Sequence, residues 1–97
     1  MNEEQIVMNM ISSAGNARSH FLKALKFYKK DKVEEAIKEM DLGNDSIIQA
    51  HKIQTELIQN EVRGEHVEIS LFMIHAQDHL MCALAIRDLV NVLLENE

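Results

Sequence analysis

The sequence predicts an all-α fold, an antiparallel bundle of three helices. Proline is absent from the 97 residues and there are only three glycines, so the chain has little of the turn chemistry that a sheet requires. Apolar residues recur at three- and four-residue steps over three long segments, which is the spacing of one helix face. Only short breaks separate the segments, so we expect neighbouring helices to run antiparallel within a single domain spanning residues 1–97.

The first helix is predicted over residues 3–30. Asn2 is a suitable N-cap, and Glu3 and Glu4 place negative charge at the positive end of the helix dipole. Its apolar stripe consists of Ile6, Val7, Met10, Ile11, Ala14, Ala17, Phe21, Ala24, Leu25 and Tyr28.

The second helix is predicted over residues 32–63. Asp31 followed by Glu34 resembles a capping box at its start, and Gly64 suits the left-handed position after its end. Gly43 lies inside the pattern and should cost about 1 kcal/mol relative to alanine. The predicted stripe contains three polar positions and consists of Val33, Ala36, Ile37, Met40, Asn44, Ile47, His51, Gln54 and Ile58.

The third helix, predicted over residues 67–94, is apolar around nearly its whole circumference. A helix of this kind must be buried on all sides, and two neighbours in an isolated bundle cannot cover it. A chain of this size also leaves roughly a third of its unfolded-chain surface exposed. The sequence therefore predicts self-association through the third helix, although the periodicity does not fix the number of subunits.

The composition excludes several functional classes. The 16 acidic and 10 basic residues give a net charge of -6, whereas a nucleic-acid binder needs clustered lysine and arginine. The single cysteine, Cys82, allows no intrachain disulfide, which fits a reducing compartment. The first residues show no secretory signal, and no apolar run is long enough to span a membrane. We therefore expect a soluble cytoplasmic protein.

A polar stripe interrupts the apolar third helix. His75, Asp78, His79 and Cys82 lie at i, i+3, i+4 and i+7, so they share one face. Gln77 points elsewhere, about 200° around the helix from His75. Because burying an unpaired polar group is costly, the stripe requires an explanation.

Three interpretations of this stripe remain open on spacing alone. The two histidines are paired residues of a bundle core, or they ligate zinc or a similar ion. In the third interpretation one histidine accepts a phosphoryl group, since imidazole has a reference pKa of about 6.5 and is a good nucleophile near neutral pH. No second helix offers a matching Glu-x-x-His, which argues against a ferritin-like two-metal centre.

Several segments resemble one known family. Residues 75–81 (HAQDHLM) are similar to the active-site signature of the lactose/cellobiose-type IIA components of the bacterial sugar phosphotransferase system. Residues 11–19 (ISSAGNARS) resemble the helix-one motif of that family, and residues 50–59 and 63–65 resemble the end of its second helix and the following turn. The resemblance covers almost the whole chain and weakens at about residues 27–44.

The resemblance implies both an assembly and an activity. Proteins of this family are homotrimers of three-helix subunits, which together form a nine-helix bundle. They accept a phosphoryl group on a histidine from the phosphocarrier HPr and pass it to a cysteine of the cognate IIB component. IIB in turn phosphorylates a sugar of the cellobiose, lactose or chitobiose type that enters through the IIC permease. By motif position the phosphoryl acceptor here is His75, with Nε2 as the attacking atom.

Three further residues of the signature receive roles from the resemblance. His79 is a candidate hydrogen-bond donor to the phosphoryl oxygens, and a polar core residue is the alternative. Gln77 is a candidate support for the active site of an adjacent subunit, or a polar interface residue. Asp78 corresponds to the buried aspartate that meets its symmetry mates around a metal ion on the threefold axis. Oxygen ligands favour Mg²⁺ or another divalent cation, and we expect one structural ion per trimer.

Four residues outside these roles are interpreted more simply. Gln54 and His51 are predicted to pair with other buried polar groups. Arg18 is predicted to form a surface ion pair with a nearby acid, and binding of phosphate is the alternative. Cys82 is predicted to be buried by packing.

Two other classes of protein are alternatives to a phosphocarrier. One is a helical metal-binding or scaffold module without phosphotransfer, in which the histidines are core residues or ligands. The other is a histidine-containing phosphotransfer domain of a two-component system. That class usually carries lysine and glycine shortly after its histidine, and residues 76–82 contain neither.

Overall fold

The computed structural model describes residues 3–66 and 68–95 and contains three helices, α1 (Glu3–Lys29), α2 (Val33–Val62) and α3 (Leu71–Glu95). No strand occurs among these described residues, which confirms the predicted all-α class. The chain forms an elongated body of 48 × 22 × 19 Å. None of its described helices is long and apolar enough to cross a membrane.

Helix α1 lies at the centre of the bundle. It packs along both α2 and α3, whereas α2 and α3 scarcely touch each other. Its predicted stripe is confirmed, because every residue of that stripe is buried or partly buried, and Phe21, Met10 and Val7 are among the largest fully buried side chains. The open side between α2 and α3 leaves much of α3 exposed.

The buried face of α2 matches the predicted stripe in part, because Ala36, Met40 and Ile47 are buried as predicted. Ala36, Gly43 and Ala50, spaced seven residues apart, form a strip of small residues that packs against α1. A Cβ atom added at Gly43 would lie 2.7 Å from Cδ1 of Phe21, so the missing side chain is what admits the ring. This close approach turns other predicted stripe positions outward, and Val33, Ile37, His51 and Ile58 are exposed.

The turn between α1 and α2 is closed by backbone hydrogen bonds rather than by the predicted capping box. Asp31 has a positive φ of 61° and occupies the left-handed position after α1. The N–H of Lys32 donates to the carbonyl of Phe27 (2.9 Å), and the N–H of Asp31 donates to that of Tyr28 (3.0 Å), a Schellman motif. Lys32 is the N-cap of α2 and makes no side-chain capping bond, so the prediction of an Asp31–Glu34 box was wrong.

Helix α2 ends as predicted, with Gly64 in the left-handed region at a φ of 87°. The N–H of Glu65 donates to the carbonyl of Asn60 (2.9 Å) and that of Gly64 to Glu61 (3.0 Å). This is a second Schellman motif. Here the residue that must adopt positive φ is a glycine, which explains why the sequence predicted this end correctly.

Helix α3 begins at Leu71, so the predicted start at residue 67 was wrong. Val67 itself lies outside the described residues, and residues 68–70 are not helical. The hydroxyl of Ser70 accepts a hydrogen bond from the N–H of Met73 (3.1 Å), which makes Ser70 the N-cap. An apolar pattern cannot locate such a start, because Ile69 continues the pattern without joining the helix.

One face of α3 is apolar and exposed within the single chain. The opposite face packs on the bundle through Met73, Ala76, Leu80, Ala83, Leu84 and Val90. We call the exposed side the outer face of α3; its large apolar members are Leu71, Ile74, Met81, Leu89, Val92 and Leu93. Asp78 lies within this face, because it follows Ile74 and Leu71 at helical spacing.

Candidate functional site

His75 and His79 form a pair on α3. They are one helical turn apart, and Nε2 of His79 lies 3.0 Å from Nε2 of His75. The ring planes are nearly perpendicular, at 88°, with centroids 4.4 Å apart. His75 is exposed and His79 is half-buried. The contact requires a proton on one of the two nitrogens and a lone pair on the other, so one ring donates and one accepts.

A polar recess lies beside this pair, between α1 and α3. Its volume is about 250 Å³, and it is lined by Arg18, His75, Asp78, His79 and Cys82. The four residues of the predicted polar stripe therefore meet in one place, and α1 adds a guanidinium. Within one chain the histidines are not core residues, because the stripe borders this open recess.

Two predictions about the polar recess were wrong. Arg18 forms no ion pair with any described residue, although a surface ion pair was predicted. Cys82 is a free, exposed thiol rather than a packed core residue. Both errors have the same cause, because the side of α1 and α3 that carries the polar recess is not covered by another part of the chain.

A larger and more apolar recess lies on the other side of His75. It has a volume of about 580 Å³ and is lined by Leu71, Phe72, Ile74, His75 and Asp78. His75 and Asp78 thus border both recesses. We refer to this second space as the apolar recess. Leu71 and Phe72 belong to the apolar helix that the sequence predicted. They precede His75 by four and three residues, and this helical spacing places them next to it.

Gln77 lies away from the histidine pair. Its Oε1 accepts a hydrogen bond from Nε2 of Gln54 (2.8 Å), which joins α3 to α2. The prediction that Gln54 pairs with a polar group is confirmed, whereas His51 is exposed and shows no side-chain hydrogen bond to a described residue. Within one chain, Gln77 therefore contacts α2 rather than His75.

One polar contact was not predicted from sequence. Nδ1 of His20 lies 2.7 Å from Oε1 of Glu39, and both side chains are largely buried between α1 and α2. The two residues are 19 positions apart, so no helical spacing links them. A paired carboxylate orients this imidazole, and the contact joins α1 to α2.

The described residues of one chain do not complete a metal site. Among the described residues, no group of three or more His, Cys, Asp or Glu side chains could hold an ion. Asp78 is exposed on the outer face of α3, where carboxylates of other copies would have to supply the remaining ligands. The predicted metal therefore stays a prediction that depends on assembly.

The fold and the site define a class: a small all-α protein with a contacting pair of histidines on its third helix, one exposed and one half-buried. Residues 5–96 match the family described as "PTS system, Lactose/Cellobiose specific IIA subunit". The chain therefore belongs to the lactose/cellobiose-specific IIA family, as its motifs indicated. It is a component of the phosphotransferase system and has a general role in phosphotransfer.

Individual relatives agree with this assignment. The chain is 43% identical over 97 residues to the lichenan-specific phosphotransferase enzyme IIA component of Bacillus subtilis, covering 98% of this chain and 88% of the relative. The structure of the cellobiose-specific enzyme IIA from Bacillus anthracis superposes with a TM-score of 0.87 at 46% identity, covering 98% of this chain and 88% of that one. The chitobiose IIA of Escherichia coli, solved in complex with HPr, superposes with a TM-score of 0.80 at 35% identity, covering 98% and 92%.

Proposed function

We propose that this chain is a phosphocarrier that accepts a phosphoryl group on Nε2 of His75. The observation that carries the proposal is the exposed His75 ring with its Nε2 only 3.0 Å from His79. A nucleophilic histidine needs one reachable nitrogen and a neighbour that controls its proton. His75 has both, and it occupies the position of the family signature.

In the proposed transfer step, one bond to phosphorus breaks while another forms. The bond from phosphorus to the donor atom of phospho-HPr breaks as a bond to Nε2 of His75 forms in line with it. This requires the lone pair on Nε2 of His75 and the proton on Nε2 of His79. As the phosphoryl group arrives, the His79 N–H turns from the His75 nitrogen to a phosphoryl oxygen. In the next step the sulfur of a IIB cysteine attacks the same phosphorus, and His75 leaves with its lone pair restored.

The proposed partners follow from the family and from the relatives. The solved complex of chitobiose IIA with HPr supports HPr as the donor for this chain. The exposed imidazole of His75 gives such a partner access to the acceptor nitrogen. The IIB component is the acceptor, and the IIC permease is reached only through IIB. A β-linked disaccharide is the proposed cargo, and the proposed location is the cytoplasm.

We also propose that three copies assemble through the outer face of α3. Apolar side chains there remain exposed in the single chain, including Leu89 at 62% and Val92 at 65%. A contiguous apolar face of this kind is costly in water and marks an interaction surface. Leu89→Asp should therefore produce monomers in sedimentation analysis. Leu42→Asp, at an exposed site of α2 (46%), is the matched control and should leave the assembly intact.

Assembly through this face would bring the Asp78 carboxylates of the three copies together. Ionised carboxylates repel one another in a dry interior unless a cation, water or shared protons compensate. Carboxylate oxygens suit Mg²⁺ or another hard divalent ion, and such an ion would neutralise the repulsion. Its proposed role is structural, because the chemistry of transfer needs only His75 and its neighbours.

The decisive experiment is phosphotransfer with purified components. The chain is incubated with phosphoenolpyruvate, enzyme I and HPr, and the phosphorylated residue is located by mass spectrometry. His75→Ala should abolish incorporation. His51→Ala removes another exposed histidine, from α2, and should leave incorporation unchanged. Incorporation that persists in His75→Ala would contradict the assignment, and none in the unaltered chain would favour the scaffold or metal-binding alternative.

A further inference from the structure

Arg18 differs from the other arginines of this chain. Arg63 contacts Glu65 (3.5 Å), and Arg87 contacts Asp88 (3.1 Å). Arg18 contacts no carboxylate of the described residues, although acidic residues outnumber basic ones by 16 to 10. Asp78 lines the same recess without pairing with it. Arg18 therefore lines the recess of the acceptor histidine without an ion pair to any described residue.

The polar recess has the right size and chemistry for an oxyanion. A water molecule occupies about 30 Å³ of liquid, so a recess of about 250 Å³ holds several waters or one tetrahedral anion with its hydration. Its walls supply N–H donors from Arg18 on one side and from the histidine pair on the other. A guanidinium presents its donors as a planar fork that matches two oxygens of a phosphoryl group.

We propose that the polar recess is an oxyanion site in which Arg18 binds the phosphoryl group carried by His75. This inference rests on the proposed function. The His79 N–H binds one phosphoryl oxygen, and the guanidinium binds the others from the α1 side. No bond to phosphorus forms or breaks in this contact. Arg18 thus stabilises the phosphorylated state relative to the free one, and it places positive charge where the transferred group arrives.

Removal of this contact should change the phosphotransfer equilibrium. A hydrogen bond to a charged group contributes about 1.5–3 kcal/mol, so its loss corresponds to an approximately 10- to 100-fold change in an equilibrium constant. Arg18→Gln should lower the equilibrium constant for transfer from phospho-HPr to this chain by that factor. Arg18→Lys keeps the positive charge but lacks the planar fork of donors. Its equilibrium constant should therefore lie between that of Arg18→Gln and that of the unaltered chain.

The test combines that equilibrium with a direct observation of the guanidinium. Purified phospho-HPr is mixed with the unaltered chain, Arg18→Gln, Arg18→Lys and the control Arg63→Gln, and the phosphorylated fractions are measured at equilibrium. Arg63 is exposed and lines neither recess. In NMR spectra, the Nε–H resonance of Arg18 should shift on phosphorylation, while that of Arg63 should not. Phosphoramidate, a small chemical donor, provides the phosphorylated chain without HPr, so weakened docking cannot imitate the effect.

The outcomes separate this inference from the proposed function. An equilibrium constant for Arg18→Gln within twofold of the unaltered chain, together with an unshifted Arg18 resonance, would overturn the Arg18 assignment and leave the phosphocarrier role standing. Failure of the unaltered chain to accept phosphoryl groups on His75 from either donor would overturn both. Unfolding midpoints of Arg18→Gln and Arg63→Gln should match that of the unaltered chain, since both side chains are exposed.

Discussion

Replacing Gly43 with alanine tests how closely α1 and α2 approach. The new Cβ would lie 2.7 Å from Cδ1 and 3.0 Å from Cζ of Phe21, with Cε1 also in contact. Ordinary carbon–carbon contacts lie at about 3.5–4.0 Å, so the ring must move by roughly 1 Å. Phe21 is 0% exposed, so its ring must move within the packed core. Overpacking of this kind costs about 1–3 kcal/mol, whereas the gain in helix propensity is about 1 kcal/mol.

The expected result is a net loss of up to about 2 kcal/mol in the free energy of unfolding. Gly15→Ala is the matched control, because its added Cβ would meet no described atom within 4 Å beyond its chain neighbours and the adjacent backbone of its own helix. The same chemical change should stabilise the chain there by about 0.5–1 kcal/mol. Urea unfolding followed by circular dichroism, at one fixed chain concentration, measures both values. Stabilisation by Gly43→Ala equal to that by Gly15→Ala would refute the close approach.

A second substitution assigns the loss to one side chain. Phe21→Leu shortens the group that Gly43→Ala displaces. The double variant should therefore lose less stability than the sum of the two single variants, by about 0.5–3 kcal/mol. Strict additivity would mean that Phe21 does not meet the new methyl group.

Three further predictions concern the ends and contacts of α3. Ser70→Ala should cost about 1 kcal/mol and speed amide exchange at Met73, since the N-cap is lost; unchanged exchange there would contradict it. Gln54→Leu leaves Oε1 of Gln77 without its donor and should cost about 1–3 kcal/mol in urea unfolding, and adding Gln77→Leu should recover part of the loss. Asp78→Leu should form trimers that EDTA does not affect in sedimentation analysis, whereas EDTA should weaken the assembly of the unaltered chain; dissociation of the Asp78→Leu assembly by EDTA would show that the ion acts elsewhere.

The sequence predicted those parts of the fold that depend on local rules. The stripe of α1 was correct because that helix packs on both neighbours, so its whole apolar side is buried. Gly64 was correct because positive φ is an intrinsic preference of glycine. Asp31 adopts the same conformation without that preference, and its place next to Glu34 indicated a capping box that does not form.

The candidate site was predicted only in part, for a related reason. Helical spacing placed His75 and His79 on one face, and the structure brings their Nε2 atoms to 3.0 Å. The predicted surroundings of Arg18 and Cys82 were wrong, because spacing within α3 does not indicate which helix lies opposite or whether a neighbour covers the face. The contact between His20 and Glu39 was not predicted, because it joins two different helices.

By itself the sequence determined the helical class, the face that His75 shares with His79, and the family, since periodicity and motifs are properties of short stretches of chain. Tertiary structure alone decided which members of the predicted α2 stripe are exposed, that Arg18 borders the histidine pair, and that the outer face of α3 remains uncovered in one chain. These features depend on the distance between helices. That distance is set by how side chains such as Phe21 fit against Gly43, and the sequence pattern of one helix alone does not contain it.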